Sequence, residues 1–148
     1  MHIAFALFAD AANLSQEGKL NILGVFDALQ VGSLPAVHPR ATLVLRFKAG
    51  AADVGAHALR LQWQSPTGES LWATTGELSV AALPPGAAEL DMPLIAMIDL
   101  PIDRAGEYQM RVAVDDTLLT SLALHVRAPE GAQAPRSGRP GASGKLVS

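Results

Sequence analysis

The sequence contains no cysteine. Disulfide bridges, zinc–thiolate sites and thiol catalysis are therefore excluded, and we expect a reducing compartment, the cytoplasm. Long apolar runs are also missing: none approaches the roughly 20 residues that a membrane-spanning helix needs. The apolar run near the N-terminus has no Lys or Arg before it, whereas a secretory signal starts with positive charge. We predict a soluble, cytoplasmic protein with no membrane partner.

Aromatic residues (5%) and charged residues (17%) are scarce, while apolar residues make up 49% of the 148 positions. This is not the composition of a disordered chain, and the length suits one domain with a core of Leu, Val and Ile. Charge is unevenly placed: residues 1–126 carry thirteen acidic and seven basic side chains, whereas the segment from Arg127 onward carries one and four. We therefore predict a domain at 1–127 and a disordered, basic tail rich in Gly, Pro and Ala at 128–148.

Strand signals fill the chain before this tail: period-two alternation, β-branched and aromatic residues, and turn residues at intervals. The pattern predicts eight strands, at 3–9, 20–29, 41–48, 58–64, 71–80, 90–98, 108–114 and 118–126. Eight short strands without a convincing helix indicate an antiparallel sandwich or barrel.

The stretch IDRAGEYQMRVAV contains the only tyrosine, Tyr108. It opens the seventh predicted strand and follows Asp103 and Ala105, a segment that resembles the D-x-A-x-Y tyrosine corner of immunoglobulin-like sandwiches with one extra residue. In such a corner the hydroxyl bonds to upstream backbone, so we expect a structural role for Tyr108. Met110 follows at an inward position, and Trp63 is expected to pack nearby. The resemblance implies an all-β, immunoglobulin-like antiparallel β-sandwich of about eight strands.

A second resemblance covers residues 2–126. The stretch GKLNILGVFD at 18–27, followed by His38, Pro39 and Arg40, is similar to a family of short bacterial all-β proteins of unknown function. The resemblance implies a bacterial, cytosolic origin, and it brings no activity, ligand or catalytic residue with it.

Signals of catalysis or metal binding are weak. The four histidines, His2, His38, His57 and His125, show no HxH or HExxH spacing, and no G-x-S-x-G motif is present. Loop carboxylates could bind calcium, but Asp115-Asp116 stands where a tight hairpin turn favours Asp. We expect no catalytic residue, no metal and no cofactor, and therefore no enzyme. A hydrolase or metal-dependent enzyme with its site in the loops is the open alternative.

Immunoglobulin-like strand order predicts that the third, seventh and eighth strands share a sheet, extended by the fourth. The outward positions of this sheet include four basic residues, Arg46, Lys48, Arg60 and Arg111. An anion-binding face for an acidic protein or polyanion is one interpretation, and an ordinary solvated face is the other. Nucleic acid is not expected, because the domain is acidic and this face offers no exposed aromatic ring.

The other sheet, built from the first, second and sixth strands, is apolar at both parities. A sheet with one wet face should alternate, so something must cover the outer side. We expect a second copy or another protein to bind there. The predicted interface residues are Phe8, Leu23, Val25, Ile95 and Met97. The alternative is a β-bulge near Gly24 or Pro93, which would shift the parity of these residues.

Overall fold

The computed structural model describes residues 1–129. Within this range the chain forms nine strands, a short 3₁₀-helix at Ala51–Asp53 and no α-helix. The strands are β1 (His2–Leu14), β2 (Leu20–Phe26), β3 (Ala28–Gln30), β4 (Ala36–Ala49), β5 (Gly55–Gln64), β6 (Ser70–Val80), β7 (Leu90–Ile102), β8 (Gly106–Val114) and β9 (Thr117–Arg127). Residues 130–148, most of the predicted tail, lie outside the described residues.

The strands form two sheets that pack face to face. The first sheet has the order β2-β1-β4-β7, and the second has the order β3-β9-β8-β5-β6. Strands β9-β8-β5-β6 reproduce the G-F-C-C′ order of immunoglobulin variable-type domains, and β4 pairs with β7 as strand B pairs with strand E. Strand β1 is inserted between β2 and β4. The predicted all-β, immunoglobulin-like sandwich is confirmed.

The prediction that the third strand, at 41–48, shares a sheet with the seventh and eighth strands is wrong. Strand β4 lies in the first sheet, where Val44 is opposite Leu7 of β1 and Ile95 of β7. Leu45 and Phe47 do point inward and are fully buried. Alternation therefore identified the core side of the strand, but it carries no information on which neighbours the strand pairs with.

The predicted strand at 20–29 is divided at Asp27. Strand β2 belongs to the first sheet, whereas β3 pairs in parallel with β9 of the second. The carbonyl oxygen of Asp27 accepts a hydrogen bond from the His125 amide (2.9 Å) where the chain crosses over. Leu29 of β3 is buried in the core.

Aromatic rings fill the centre of the core between the two sheets. The Trp63 ring stacks on Tyr108, with centroids 5.1 Å apart, and meets Phe8 edge-on at 6.1 Å. Phe8 in turn stacks on Phe26 at 5.9 Å. The indole N–H of Trp63 donates to the carbonyl oxygen of Pro101 (2.9 Å), so this buried donor is satisfied.

The connection between β7 and β8 is held by Tyr108. Its hydroxyl oxygen accepts hydrogen bonds from the amides of Asp103 and Arg104, both at 3.0 Å. The hydroxyl hydrogen has two acceptors in reach, Asp103 Oδ1 at 2.5 Å and the Arg104 carbonyl at 2.8 Å. Burial, followed by the hydrogen bond to Asp103, raises the pKa of Tyr108, so the phenol stays neutral. This is the geometry of a tyrosine corner, and it leaves the hydroxyl occupied.

Candidate functional site

The outer face of the first sheet is an apolar surface, called here the apolar face. Residues directly opposite on neighbouring strands point to the same side, so the pairing defines its rows. The first row is Val25, Ala9, Thr42 and Met97; the second is Leu7, Val44 and Ile95; the third is Phe5, Arg46 and Pro93. Leu23 pairs with Ala11 farther along β2.

Three large apolar side chains of this face are open to solvent. Leu23 is 69% exposed, Val25 60% and Met97 59%. Ile95 is half-buried in the next row. Four of the five residues predicted for the interface therefore lie outside the buried core.

The prediction that Phe8, the fifth residue, belongs to the interface is wrong. It is fully buried between the sheets, in contact with Phe26 and Trp63. The pairing of β1 with β4 shifts between Ile3 and Phe5. This bulge inserts one residue and reverses the parity, so Phe5 points outward and Phe8 points inward.

The hairpin that joins β1 to β2 stands over one end of the apolar face. Its residues Gly18, Lys19, Leu20 and Ile22 line a cavity of about 530 Å³ together with the third row of the sheet. Val44, in the middle row, is fully buried. The β1–β2 hairpin thus covers part of the outer side of the first sheet. The exposed residues Leu23, Val25 and Met97 lie outside the covered part.

The four basic residues predicted on one face lie on two different sheets. Arg46 and Lys48 belong to the first sheet and share Asp91: Arg46 Nη2 lies 2.5 Å from Oδ2, and Lys48 Nζ lies 3.5 Å from Oδ1. These hydrogen bonds, Arg46 first, hold the pKa of Asp91 below its usual range. Arg60 and Arg111 belong to the second sheet. The prediction of a single basic face is therefore wrong.

Arg60 and Arg111 line a cavity of about 230 Å³ on the outside of the second sheet. Gln62, Asp116 and Leu118 complete its walls. Within residues 1–129 neither arginine forms an ion pair, so both guanidinium groups keep their donors for solvent or a ligand.

A small pocket that the sequence did not predict lies where β2 passes into β3. It has a volume of about 270 Å³ and is lined by Asp10, Gly24, Val25, Phe26, Ala28, Leu29 and His38. We call it the Asp10–His38 pocket. His38 is only 7% exposed, its ring lies edge-on to Phe26 at 5.5 Å, and its Nδ1 has no hydrogen-bond partner within residues 1–129. Hydropathy could not have identified this position, because the polar His38 is buried while the apolar Val37 beside it is exposed.

His57 and Asp115 form a pair that superficially resembles part of a catalytic triad. Nδ1 of His57 lies 2.5 Å from Asp115 Oδ2, but Nε2 is also engaged, at 2.5 Å from the Asp53 carbonyl oxygen. These acceptors, Asp115 first, raise the pKa of His57. A ring with both nitrogens bonded to acceptors has no free lone pair for a substrate proton. The pair therefore fastens the β8–β9 turn to the start of β5.

The β8–β9 turn contains Asp115 and Asp116, both with positive φ (49° and 65°). This is the two-residue hairpin that the sequence predicted, in the backbone form that favours Asp, Asn and Gly. Within residues 1–129 no three His, Asp or Glu side chains come together in a way that could hold a metal ion. No helix of the same range has the length and hydropathy of a membrane span.

Among solved structures, the chain is similar to an immunoglobulin-like protein from Pseudomonas aeruginosa. The two share 15% sequence identity, the match covers 85% of this chain and 95% of that chain, and the TM-score is 0.34. No curated protein matches the chain. The resemblance to a family of unknown function, which the stretch at 18–27 indicated, is confirmed: residues 4–127 match DUF6941, a family of unknown function, and the chain belongs to it.

Proposed function

We propose that this protein is a non-enzymatic binding module and that the open end of its apolar face docks a partner protein. The observation that carries the proposal is the exposure of Leu23, Val25 and Met97, each at 59% or more, on strands of the first sheet. Scattered apolar residues on a surface need no explanation, whereas a contiguous group favours an interaction site. The lack of cysteine supports a cytoplasmic location.

The surroundings of this open end favour a partner of opposite charge over a second copy. Asp10, Asp27 and Asp99 are exposed around it, against Arg40 as a nearby cation. Two copies joined through the same face would bring like charges together, which opposes association. Residues 1–126 also carry an excess of acidic over basic side chains, thirteen to seven. We therefore commit to a partner that presents apolar residues with a basic rim.

The test starts by capturing proteins from the native cell on the immobilised full chain. Each captured protein is purified, and its affinity for the chain is measured by calorimetry. The variant Leu23→Glu with Met97→Glu should weaken binding of the true partner by about 100-fold or more, because it buries two unpaired charges. The matched control is Leu118→Glu, at an apolar residue that is 45% exposed on the second sheet. It should bind like the wild type.

Two results would overturn the proposal. The first is that every purified partner binds the double variant and the wild type equally. The second is a wild-type dimer in light scattering that the double variant dissociates, since the occupant would then be a second copy.

A second candidate function is the binding of an acidic protein or polyanion by Arg60 and Arg111. The unpaired guanidinium groups on one cavity favour it, while Asp116 in the same wall opposes it. Inorganic polyphosphate is a suitable probe. Polyphosphate binding should weaken with salt and be lost in the variant Arg60→Ala with Arg111→Ala. It should persist in Arg46→Ala, because the guanidinium of Arg46 already donates hydrogen bonds to Asp91. Binding that ignores salt and both arginines would contradict this candidate.

A further inference from the structure

We infer that the Asp10–His38 pocket receives a guanidinium or ammonium group, supplied by a basic side chain of the docking partner. The inference rests on the proposed function for the source of this cation. The chemistry of the pocket itself follows from four features of the chain.

The first feature is the unpartnered ring nitrogen of His38. The residue is more than nine-tenths buried, and Nδ1 finds no hydrogen-bond partner within residues 1–129. Buried polar atoms in native proteins are almost always bonded, so an orphan nitrogen in a ring that lines a pocket points to a ligand. Burial lowers the pKa of His38 against the opposing effect of the Asp10 charge. At neutral pH the ring is therefore uncharged and can accept a hydrogen bond.

The second feature is the charge of the pocket. Asp10 supplies a carboxylate, and none of the other lining residues is a lysine or arginine. The Asp10 side chain forms no ion pair within residues 1–129. A carboxylate beside a neutral imidazole offers acceptors, so the pocket favours a cation with several N–H donors and repels an anion.

The third feature is the apolar part of the wall. Phe26, Val25 and Leu29 surround the two polar groups, which suits the methylene stem of a Lys or Arg side chain. The volume, about 270 Å³, lies below the roughly 300–1,000 Å³ of sites for drug-sized ligands. A single side chain is therefore a better match than a whole metabolite.

The fourth feature is the position of the pocket. Val25 lines it and at the same time belongs to the open end of the apolar face, where it is 60% exposed. A partner seated on Leu23 and Met97 would reach the mouth of the pocket with its rim. Gly24 leaves room for the carboxylate: a Cβ there would lie 2.3 Å from Asp10 Oδ2.

The experiment uses propylguanidinium as the probe and the full chain, followed by amide NMR. Saturable shifts are expected at Val25, Phe26, Ala28 and Leu29, with none from propylurea, the neutral isostere. Asp10→Asn should weaken binding at least about tenfold, because it removes the charged acceptor. Glu77→Gln, at an exposed carboxylate on β6 of the second sheet, should leave the affinity unchanged.

Three outcomes would overturn the inference. They are the absence of saturable shifts at these amides, equal binding to wild type and Asp10→Asn, and spermidine binding far more tightly than propylguanidinium. The last would assign the pocket to a free polyamine. Because the probe is added to the isolated chain, its failure is distinct from a failure of the apolar face to bind a partner.

Discussion

The two sheets differ on their outer faces. On the second sheet the alternation is clean: Leu61 is buried in the core while its neighbour Arg60 is exposed. On the first sheet, the central strand β4 is buried on both sides, and Val44 and Leu45 are each 0% exposed. The first sheet is therefore covered on the outside as well as on the inside, as the apolar parities of its sequence require.

The difference lies in how the first sheet is covered. Its own β1–β2 hairpin overhangs one end, whereas Leu23, Val25 and Met97 remain exposed at the other. An exposed apolar group beside a self-covered one supports the proposal that a partner docks on the open part. The second sheet has no such division, which is why we place the binding surface on the first.

The largest expected change in stability distinguishes the buried side of the first sheet from its exposed side. Phe8→Ala should destabilise the fold by about 3–5 kcal/mol, because it empties a space between Phe26 and Trp63. Val25→Ala, on the exposed side, should change stability by no more than about 0.5 kcal/mol. Urea unfolding followed by tryptophan fluorescence measures both. Similar values for the two variants would mean that the parity assigned to β1 is incorrect.

The next effect concerns the link between the sheets. Tyr108→Phe keeps the ring on Trp63 but removes the hydroxyl that accepts from the Asp103 and Arg104 amides. Leaving these groups without a partner should cost about 1–3 kcal/mol in the same unfolding assay. Gln109→Ala removes two exposed side-chain hydrogen bonds, one donated to Glu107 and one accepted from Ser121; it is the control and should be nearly neutral. A Tyr108→Phe variant as stable as wild type would contradict the structural role.

Sequence reasoning predicted the second sheet better than the first, for a physical reason. Where one face meets water, alternation identifies the inward residues, and Trp63, Tyr108 and Met110 are all fully buried as expected. Where both faces of a strand are covered, residues of both parities are apolar, so a bulge does not change the hydropathy pattern. The one between Ile3 and Phe5 lies in a run of apolar residues, so the reversed parity that places Phe8 inside could not be read from the sequence.

Sequence patterns also could not predict which strands pair with one another. The Asp10–His38 pocket joins residues from β1, β2, β3 and β4, and their proximity arises from strand order and from the crossover at Asp27. Each residue alone is an unremarkable surface or strand position. In contrast, four of the five residues predicted for the interface do lie outside the core, because the alternation of side chains along a strand is a local signal.

A smaller effect is expected at the base of the hairpin. Gly24 has φ +68°, a conformation that costs other residues about 1–2 kcal/mol, and an added Cβ would meet the Asp10 carboxylate. Gly24→Ala should therefore lower stability by about that amount or more. In an Asp10→Ala background the steric part should shrink, because only the Cβ among the crowding atoms of Asp10 remains, 3.0 Å from the added Cβ. Equal losses in both backgrounds would show that Asp10 does not lie against Gly24.

The smallest effect compares two histidines, one from each sheet, with opposite expected pH dependence. In the second sheet, hydrogen bonds to Asp115 and Asp53 raise the pKa of His57 above 6.5 in the folded state. Protonated His57 thus stabilises the fold below pH 6.5, and this contribution is lost as the pH rises through the raised value. In the first sheet, burial lowers the pKa of His38. Its contribution is present above pH 6.5 and is lost as the pH falls through the lowered value.

The measurement is the free energy of unfolding between about pH 5 and pH 9 for wild type, His57→Gln and His38→Phe. The difference between wild type and His57→Gln should shrink as the pH rises above 6.5. The difference between wild type and His38→Phe should instead grow in favour of the wild type as the pH rises through 6.5. Two differences that change in the same direction would mean that His38 gains a partner for its ring nitrogen in solution, which would remove the main support for the Asp10–His38 pocket.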